Sequence, residues 1–332
     1  MIKGTDKYYL AETYDSNLHT ASIVRKDNEK ILAQEGFAEL KFRHTKDGSL
    51  SVKLRRMNEL IKLILSVKKN SLVIFHFPLL ANAYIILLKV LGKLGIKTAT
   101  IIIDIDGLRY KDENLLKKEI ETLKQFTHII AHNSAMKTFL KQYIAADKIS
   151  CIELFDYPAE QNLSEKPLSN IVCFAGNFEK AGFVNELGKI QHVQFNLYGQ
   201  SFNAADKKNI SYEGAFTPNE LPKKLKGSFG LVWDGNTIEA CDEYLQYNNP
   251  HKLSLYLAAG LPVIVWEQSA AAKLVLEKNI GITVNSLTEL GDIIKNISAE
   301  EYNLMKQNIE PLRVEIINGA FLKRAVAKIL NV

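Results

Sequence analysis

Short apolar runs alternate with longer amphipathic segments along almost the whole chain. The run SLVIFHFP (Ser71–Pro78) is typical, because it is rich in branched and aromatic residues and ends at a proline. Runs of this kind predict buried strands, and the helical spacing of apolar residues between them predicts covering helices. The pattern therefore favours an α/β protein whose parallel sheets are covered on both faces.

The same pattern sets the expected order of elements in each half of the chain. In the first half it predicts strands at 7–12, 71–78, 97–106, 127–133 and 148–155, with helices at 51–69, 80–95, 111–126 and 134–144. In the second half it predicts strands at 171–176, 193–199, 210–216, 230–235, 262–267 and 281–284. Helices are expected there at 181–190, 218–227, 253–259 and 270–279, followed by a final helical run.

The segment Asp156–Asn170 interrupts this alternation with two prolines and a series of polar residues, which is typical of an interdomain linker. A chain of 332 residues is also too long for one ordinary core. We therefore expect two Rossmann-like domains with a cleft between them, at residues 1–158 and 159–309, with 310–332 as a final segment.

Composition and charge restrict the class of protein. Apolar residues make up 47% of the chain and charged residues 24%, which is typical of a globular protein. The net charge of +5 suits an anionic small molecule or a membrane surface, and it is too diffuse to indicate a nucleic-acid partner. The three cysteines, Cys151, Cys173 and Cys241, share no CxxC spacing, so we expect reduced thiols rather than a disulfide or a zinc site.

The apolar segments do not predict export or membrane insertion. The N-terminal residues lack the apolar run of a signal peptide. The most apolar region, Leu72–Ile105, is interrupted by polar and basic residues and cannot span a bilayer as one helix. We therefore expect a cytoplasmic protein.

The helix at 53–69 carries an apolar stripe (Leu54, Met57, Leu60, Ile61, Ile64) among basic residues, and it either covers a sheet or lies against anionic lipid.

Ligands of open α/β sheets bind beyond the carboxyl ends of the strands, so the residues after each strand are candidates for chemistry. In the second half, Gly176 and Asn177 form a strand-to-helix turn with Lys180 just behind, where helix N–H groups could receive a phosphate. An ordinary tight turn is the alternative. Tyr198 and Phe216 end or follow two further strands, and their rings either stack on a base or simply pack at a turn.

The densest cluster of polar residues is NNPHK, Asn248–Lys252, at the start of a helix that is otherwise apolar. Asn249 is a good N-cap, and Pro250 fits the first helical turn. Lys252 is unfavourable beside a helix N-terminus unless an anion lies between them, as the phosphates of a nucleotide diphosphate would. A solvated surface lysine is the alternative. His251 in the same cluster, together with Asp234 and Ser254 on either side of it, completes the candidate nucleotide-binding residues.

In the first half, IIIDIDGLR places Asp104 and Asp106 at the end of a predicted strand, followed by Arg109. Alternation along a strand would turn one carboxylate to each side, and the one that faces the cleft could accept a proton from a hydroxyl. A carboxylate that caps the next helix or pairs with Arg109 is the alternative. His76 ends another strand and is the reserve base, whereas His132 is expected to be structural.

Several classes of site are not supported by any motif. The sequence has no GxxxxGK[ST], no glycine triad of a dinucleotide site, no GxSxG and no HExxH. The two carboxylates of IIIDIDGLR alternate along the predicted strand and do not make a metal pair. We therefore expect neither a metal nor a cofactor.

Six segments, in order, resemble the bacterial galactofuranosyltransferases of surface-polysaccharide assembly and, more distantly, the glucosyltransferases that extend sugars on serine-rich adhesins. They are IIIDIDGLR, AHNSAMKTFLKQY, FAGNFEK, GLVWDG, YNNPHKLSLYLAAGLPVIVWE and GITVNSLTEL. The likeness covers most of the chain from about Leu72 onward, and ASIVRKDNEKI adds a weaker trace of the first helix. The NNPHK and WDG segments match the galactofuranosyl members more closely.

The resemblance implies a GT-B fold, in which the C-terminal Rossmann-like domain binds a nucleotide-sugar donor and the N-terminal one faces the acceptor. It implies that the final helix, about 310–330, crosses back to the first domain. It also implies that Asn248–Lys252 hold the sugar and diphosphate of a UDP-sugar, with Lys252 offsetting the charge of the leaving group. Gly176, Asn177 and Lys180 would line the phosphate side, and Tyr198 and Phe216 the uracil side.

The expected reaction is inverting, metal-independent transfer of a hexosyl unit, with galactofuranose favoured, to a hydroxyl of a growing surface glycan or lipid-linked glycan. Lys180 replaces an arginine of the glucosyl relatives, so a bidentate phosphate contact would become a point-charge contact. The relatives also imply a homo-oligomer. The alternatives are UDP-glucose transfer to a glycosylated adhesin, a non-hydrolysing UDP-sugar epimerase, and a partner subunit that binds the nucleotide sugar without turning it over.

Overall fold

A computed structural model describes residues 6–13, 20–43, 50–160, 165–200 and 208–330 of the chain. The predicted α/β class is confirmed: the strands form two six-stranded sheets, and every strand pairing in them is parallel. The chain divides into two compact units. The first unit comprises Met1–Glu153 and Phe321–Val332, and the second unit comprises Leu154–Ala320.

The sheet of the first unit has the strand order β2-β1-β3-β4-β5-β6. Its strands are β1 (Lys7–Thr13), β2 (Ala38–Arg43), β3 (Leu72–Phe77), β4 (Lys97–Ile102), β5 (His128–Ala131) and β6 (Ile149–Cys151). The helices between them are α1 (Thr20–Gln34), α2 (Leu50–Ser66), α3 (Asn82–Lys93), α4 (Asp106–Arg109), α5 (Glu113–Leu123) and α6 (Ser134–Leu140). The apolar pattern did not predict β2, an edge strand in which Leu40 and Phe42 are buried and alternate with exposed residues.

The sheet of the second unit has the order β12-β11-β10-β7-β8-β9. Its strands are β7 (Ile171–Ala175), β8 (Gln194–Tyr198), β9 (Ile210–Gly214), β10 (Phe229–Val232), β11 (Val263–Trp266) and β12 (Gly281–Val284). The helices are α7 (Leu221–Lys224), α8 (His251–Ala258), α9 (Ala272–Lys278), α10 (Leu290–Asn296) and α11 (Ala299–Ile317), and α12 (Ala320–Leu330) follows them. The predicted helix at 181–190 is instead a 3-10 helix, Gly182–Lys189.

The strand order of the second unit is that of the nucleotide-binding Rossmann fold, and it reverses between the adjacent strands β7 and β10. Such a reversal opens a crevice beyond the carboxyl ends of the two strands, where ligands of open α/β sheets bind. The fold thus singles out the residues that follow Ala175 and Val232.

Helix α8 is seated directly on these two strands. The buried ring of Tyr256 lies against Gly230 of β10, where an added Cβ would come within 2.1 Å of the ring. The backbone N–H of Ala175, at the end of β7, donates to the Tyr256 hydroxyl at 2.8 Å. These contacts hold α8 in a defined position relative to the sheet.

The predicted linker begins as a well-packed segment rather than a loose one. Asp156 and Tyr157 are buried in the second unit. The backbone N–H of Tyr157 donates to the Ile316 carbonyl at 3.1 Å, and its hydroxyl donates to the Pro218 carbonyl at 2.8 Å. Aromatic and apolar residues at 154–157 favour this burial, which the count of prolines and polar residues did not reveal.

Candidate functional site

Lys252 lies at the strand-order reversal of the second unit. Its ammonium donates to the Trp233 carbonyl at 3.1 Å and to Asp234 Oδ1 at 2.6 Å, both just after β10. The same Nζ lies 4.8 Å from the ring centre of Phe174, near the end of β7, which is a cation–π distance. The side chain is 16% exposed, so a largely buried cation is held at the crevice. The contact of Phe174 with the lysine was not predicted, because in the sequence Phe174 resembles any other apolar strand residue.

Helix α8 begins at His251, and its N-cap is Pro250, with φ −69° and ψ 146°. The predicted N-cap, Asn249, therefore lies one residue too early, because the extended proline conformation delays the helix. Pro250 offers no side-chain cap, so the first N–H groups of α8 receive no side-chain acceptor there.

The two asparagines before the helix are buried, as is Ser254 on its first turn. The Asn248 Oδ1 atom has no hydrogen-bond partner among the residues that the structure describes. A buried amide oxygen without a partner is unfavourable, and a ligand hydroxyl or a water would relieve it. Asn248 is accordingly the member of this cluster that geometry marks for a ligand, whereas Asn249 already has other interactions.

His251 is engaged by the chain itself. Its Nε2 lies 3.3 Å from the Asp156 carbonyl, and its ring stacks on Tyr157 with centroids 4.8 Å apart. Because a carbonyl only accepts, this nitrogen donates, and burial lowers the pKa of His251 to about 4. The predicted contact of His251 with the nucleotide has no support in this geometry, since the ring packs against Asp156 and Tyr157 instead.

On the other side of the crevice, the turn after β7 is shaped by close backbone contact. The Gly176 N–H donates to the Tyr198 carbonyl at 3.0 Å. Gly199 has φ +155°, and a Cβ there would lie 2.0 Å from the Gly176 carbonyl oxygen, so only glycine fits. Asn177 caps a short 3-10 helix, Phe178–Lys180, by accepting from the Glu179 N–H at 3.0 Å, and both Asn177 and Lys180 are exposed.

The two predicted stacking aromatics differ. Tyr198 is buried within β8, and its hydroxyl accepts from the Lys226 N–H at 2.8 Å, so its ring belongs to the core and offers no face to a base. Phe216 is partly exposed, with the Lys224 ammonium 5.7 Å from its ring centre. Of the two, Phe216 has the exposure that stacking requires.

In the first unit, Asp104 and Asp106 do not lie on a strand. Strand β4 ends at Ile102, and Asp106 is the first residue of α4. The expected alternation of the two carboxylates across a strand is therefore wrong, because the chain leaves the sheet at residue 103. Asp104 Oδ2 pairs with Arg109 Nη1 at 2.9 Å, which is the structural alternative noted from the sequence. The pairing also holds the Asp104 carboxylate in one place.

The buried Glu119 of α5 holds this turn. Its Oε1 accepts from the Asp106 N–H at 3.0 Å, and its Oε2 accepts from the Gly107 N–H at 2.7 Å. Burial raises the pKa of Glu119 to about 7, and the charges of Asp106 and Asp104 add to that shift, although the two backbone hydrogen bonds oppose it. This residue was not predicted from the sequence, where it is one of three glutamates in the amphipathic segment 111–126.

Two histidines of the first unit, His76 and His132, are buried. His76 lies within β3, one residue before its end, and neither ring nitrogen has a hydrogen-bond partner among the described residues. Burial and the nearby charge of Arg25 lower the pKa of His76 well below its ordinary value. The Nε2 atom of His132 lies 3.0 Å from the Ile102 carbonyl oxygen, so His132 supports the end of β4. Burial lowers the pKa of His132 to about 4.

Neither metal ligation nor thiol chemistry finds support in the part of the chain that the structure describes. No group of three or more histidine, cysteine, aspartate or glutamate side chains there could hold a metal ion. The three cysteines are unpaired, and burial raises the pKa of Cys151 to about 11 and of Cys173 and Cys241 to about 12. Such thiols are poor nucleophiles.

Comparison with protein families gives two successive matches along the chain. The model of the glucosyltransferase 3-like N-terminal domain matches residues 7–154, and that of the glucosyltransferase 3-like C-terminal domain matches residues 172–329. Together they span most of the chain and both of its sheets.

Two relatives agree with these matches. The chain is 29% identical over 276 residues to the β-1,6-galactofuranosyltransferase WbbI of Escherichia coli K12, covering 80% of this chain and 81% of WbbI. It is also 29% identical over 322 residues to glucosyltransferase 3 of Streptococcus gordonii, covering 94% of each chain.

The fold is similar to solved glycosyltransferase structures at low sequence identity. Anabaena HepE, crystallised with UDP and glucose, gives a TM-score of 0.66 at 12% identity and covers 99% of this chain and 100% of its own. Phytolacca americana UGT2, solved with UDP-2-fluoro-glucose and pterostilbene, gives 0.53 at 10% identity and covers 97% and 99%. These likenesses confirm the predicted GT-B fold.

No described helix is both long enough and apolar enough to cross a membrane. The fold and the two family models lead to the same conclusion: the chain has two parallel Rossmann-like sheets, a cation is held at the strand-order reversal of the second sheet, and the models match successive parts of the chain. The chain belongs to the glucosyltransferase 3-like family of bacterial glycosyltransferases.

Proposed function

We propose that the protein transfers a hexosyl unit from a UDP-sugar to a hydroxyl of a cell-surface glycan, with galactofuranose as the preferred sugar. The observation that carries this proposal is the Lys252 ammonium at the reversal of the second sheet, beside the N-terminus of α8. A diphosphate there would meet the N-terminal end of the helix and a proton of Nζ, which can donate three hydrogen bonds and donates two in this structure.

Each candidate of the second unit takes a part in this proposal. Lys252 stabilises the charge that develops on UDP as the bond to the sugar breaks. Asp234 and Asn248 accept hydrogen bonds from hydroxyls of the donor, and Ser254 lies on the same helical turn. Gly176, Asn177 and Lys180 line the diphosphate, and Phe216 stacks on the uracil.

The acceptor chemistry falls to the first unit. The acceptor oxygen attacks the anomeric carbon from the face opposite UDP, the carbon–phosphate oxygen bond breaks, and UDP leaves with inversion. A carboxylate takes the hydroxyl proton. We place Asp104 first, because Arg109 holds its side chain, with Asp106 second; His76, fully buried in β3, comes last.

UDP-galactofuranose and UDP-glucose should be compared directly as donors, because WbbI and the streptococcal glucosyltransferase are each 29% identical to this chain. The NNPHK and WDG segments favour UDP-galactofuranose, and the longer match to the streptococcal glucosyltransferase favours UDP-glucose. The test is UDP release from each donor, with and without acceptor glycan and with EDTA present. We expect acceptor-dependent release from UDP-galactofuranose that survives EDTA; acceptor-independent turnover would indicate an epimerase, and binding without turnover a non-catalytic subunit.

A lipid-linked acceptor would require contact with a membrane, and α2 offers a surface for it. Met57, Ile61 and Leu65 lie one turn apart on the outer side of α2 and are 53%, 46% and 79% exposed, while Leu60 and Leu63 face the core. The predicted apolar stripe therefore splits into a buried part and an exposed part. Residues 50–97 contain nine basic residues and one acidic residue, a balance of +8. Since the whole chain is at +5, the rest is at −3, so the positive charge is local.

Apolar residues among unbalanced cations fit an anionic bilayer, whereas two copies of one chain would bring like charges together. We expect the protein to sediment with phosphatidylglycerol vesicles and not with phosphatidylcholine vesicles, and Leu65→Ser to weaken sedimentation. The matched control is Leu304→Ser, at an exposed leucine of α11. Equal sedimentation of all three proteins would contradict the proposal, and a change of oligomeric state in Leu65→Ser would assign the surface to the predicted homo-oligomer instead.

A further inference from the structure

Helix α4 is four residues long, and its first N–H groups would ordinarily be satisfied by a polar side chain at the N-cap. The N-cap here is Ile105, which has no such group. Glu119 replaces it from a neighbouring helix, with one carboxylate oxygen on the Asp106 N–H and the other on the Gly107 N–H. The carboxylate is therefore the cap of a helix to which it does not belong.

Close packing restricts the same turn from another side. A Cβ at Gly107 would lie 2.3 Å from the backbone nitrogen of Leu116, so only glycine allows α4 to approach α5 this closely. The approach brings the N–H groups of α4 within reach of Glu119, which is 6% exposed. Helix α4 thus has one position against α5, set by a steric contact and two hydrogen bonds.

The turn held in this way carries the candidate base. Asp104 lies two residues before α4, and its partner Arg109 is the last residue of α4. If α4 moved, Arg109 would move with it, and the Asp104 carboxylate would lose this ion pair. The hydrogen bonds from α4 to Glu119 and the ion pair between Arg109 and Asp104 thus connect Glu119 to Asp104 through α4.

We propose that Glu119 is a positioning residue for the acceptor side of the reaction, and that its ionised carboxylate holds the turn with Asp104 in the active arrangement. This inference rests on the proposed function for the role of Asp104, but the control of the turn by Glu119 stands apart from it. Glu119 touches no substrate in this proposal and acts through backbone alone.

The charge state of Glu119 gives the proposal a pH signature. An ionised carboxylate accepts both N–H groups, whereas a protonated one loses much of its strength as an acceptor at one oxygen. The charged groups that act on it are Asp106 on α4 and Asp104 before it, and both raise its pKa beyond the effect of burial. Since that pKa is about 7, the turn should loosen as pH falls below 7.

The test compares Glu119→Gln with Glu121→Gln, a change at an exposed residue of the same helix that pairs with Lys124. The glutamine keeps one acceptor and presents an NH₂ group to the second N–H. We expect kcat for glycosyl transfer to fall about ten-fold in Glu119→Gln, with KM for the donor and the affinity for UDP unchanged. We expect kcat of the native protein to decline below pH 7, and this decline should disappear in Glu119→Gln and persist in Glu121→Gln.

Hydrogen exchange tests the turn itself. The amides of Asp106 and Gly107 should exchange faster in Glu119→Gln than in the native protein at pH 8, with the strands of the first unit unchanged. Unchanged exchange and an unchanged pH profile in Glu119→Gln would overturn the inference. If the native protein binds no UDP and transfers no sugar, the proposed function fails, while faster exchange at these two amides would still establish that Glu119 holds the turn.

Discussion

Lys252 occupies the second position of α8, where a positive charge opposes the helix dipole. The structure offsets that cost with the Asp234 carboxylate, the Trp233 carbonyl and the face of Phe174. A protein that needed only a stable helix would place an acidic or neutral residue at this position. The conflict between charge and dipole, visible in the sequence, is the feature that a bound diphosphate would resolve.

The carboxylates of the first unit give a prediction about the base. Asp104→Asn should lower kcat about 100-fold or more, because general base catalysis contributes roughly that much, while UDP affinity stays unchanged. Asp106→Asn is the matched change two residues away, and it should cost much less. Steady-state rates with saturating donor and acceptor give the comparison. A large loss of kcat in Asp106→Asn, with normal turnover in Asp104→Asn, would instead identify Asp106 as the general base.

Two buried histidines predict how stability depends on pH. The pKa values of His132 and His251 are about 4 in the fold, below the ordinary value of 6.5, so the unfolded chain binds protons first as pH falls. The contribution of each of these histidines to the free energy of unfolding is therefore fully present above pH 6.5 and is lost toward pH 4, by about 1.4 kcal/mol per pH unit. Glu119, whose pKa is raised from 4.5 to about 7, contributes with the opposite sign in that range.

Urea unfolding between pH 7.5 and 5 measures this slope. His132→Gln, which keeps a donor for the Ile102 carbonyl but does not titrate, should make the slope shallower. His192→Asn, at an exposed position with φ 63° that asparagine tolerates, should leave it unchanged. A slope equally steep in His132→Gln and the native protein would contradict the assignment.

At the scale of elements, the position of α8 depends on a glycine. Gly230→Ala should destabilise the second unit by about 1–3 kcal/mol, because the added methyl overlaps the ring of Tyr256 that seats α8 on β10. Gly92→Ala is the matched control in α3, where nothing lies within 4 Å of the added Cβ, and it should stabilise by up to about 1 kcal/mol.

Thermal unfolding of the two variants gives opposite shifts of Tm if this packing is correct. A Tm for Gly230→Ala equal to that of the native protein would show that α8 has room to move away from β10.

The apolar periodicity was enough to predict most strands, because buried parallel strands such as β3 and β11 are continuous apolar runs. It failed at β2, where an edge strand alternates, and at the end of β4, where IIIDID keeps an apolar pattern after the chain has left the sheet. It also could not show that 182–189 is a 3-10 helix, since two helix types share similar spacing.

The candidate site was predicted unevenly for a physical reason. Lys252 and Asp234 were recognised because charged residues in an apolar context are visible in a sequence. Tyr198 was assigned to the nucleotide from its place at a strand end and His251 from its place in the NNPHK cluster. The structure places both in the interior, where burial depends on packing. Glu119 has no signal of its own, since its role depends on the backbone of a helix elsewhere in the chain.

For the whole molecule, we propose that the two units carry different parts of the reaction. Binding of UDP is assigned to the second unit, where the sheet reverses between β7 and β10, and proton transfer to the first unit, where Asp104 follows β4. Variants of the first unit should then change turnover and leave UDP affinity unaltered. The donor site is the central claim, because the assignment of every other residue follows from it.

Isothermal titration calorimetry of UDP against the full chain tests that claim most directly, with ADP and GDP for comparison and with EDTA present. Lys252→Ala should weaken UDP binding at least ten-fold, since a charged hydrogen bond is worth about 1.5–3 kcal/mol. Lys273→Ala, at an exposed lysine of the same unit paired with Glu277, should bind as the native protein does. Selective UDP binding that survives EDTA and is lost in Lys252→Ala is the predicted result; binding that ignores Lys252, or no binding of UDP at all, would contradict it.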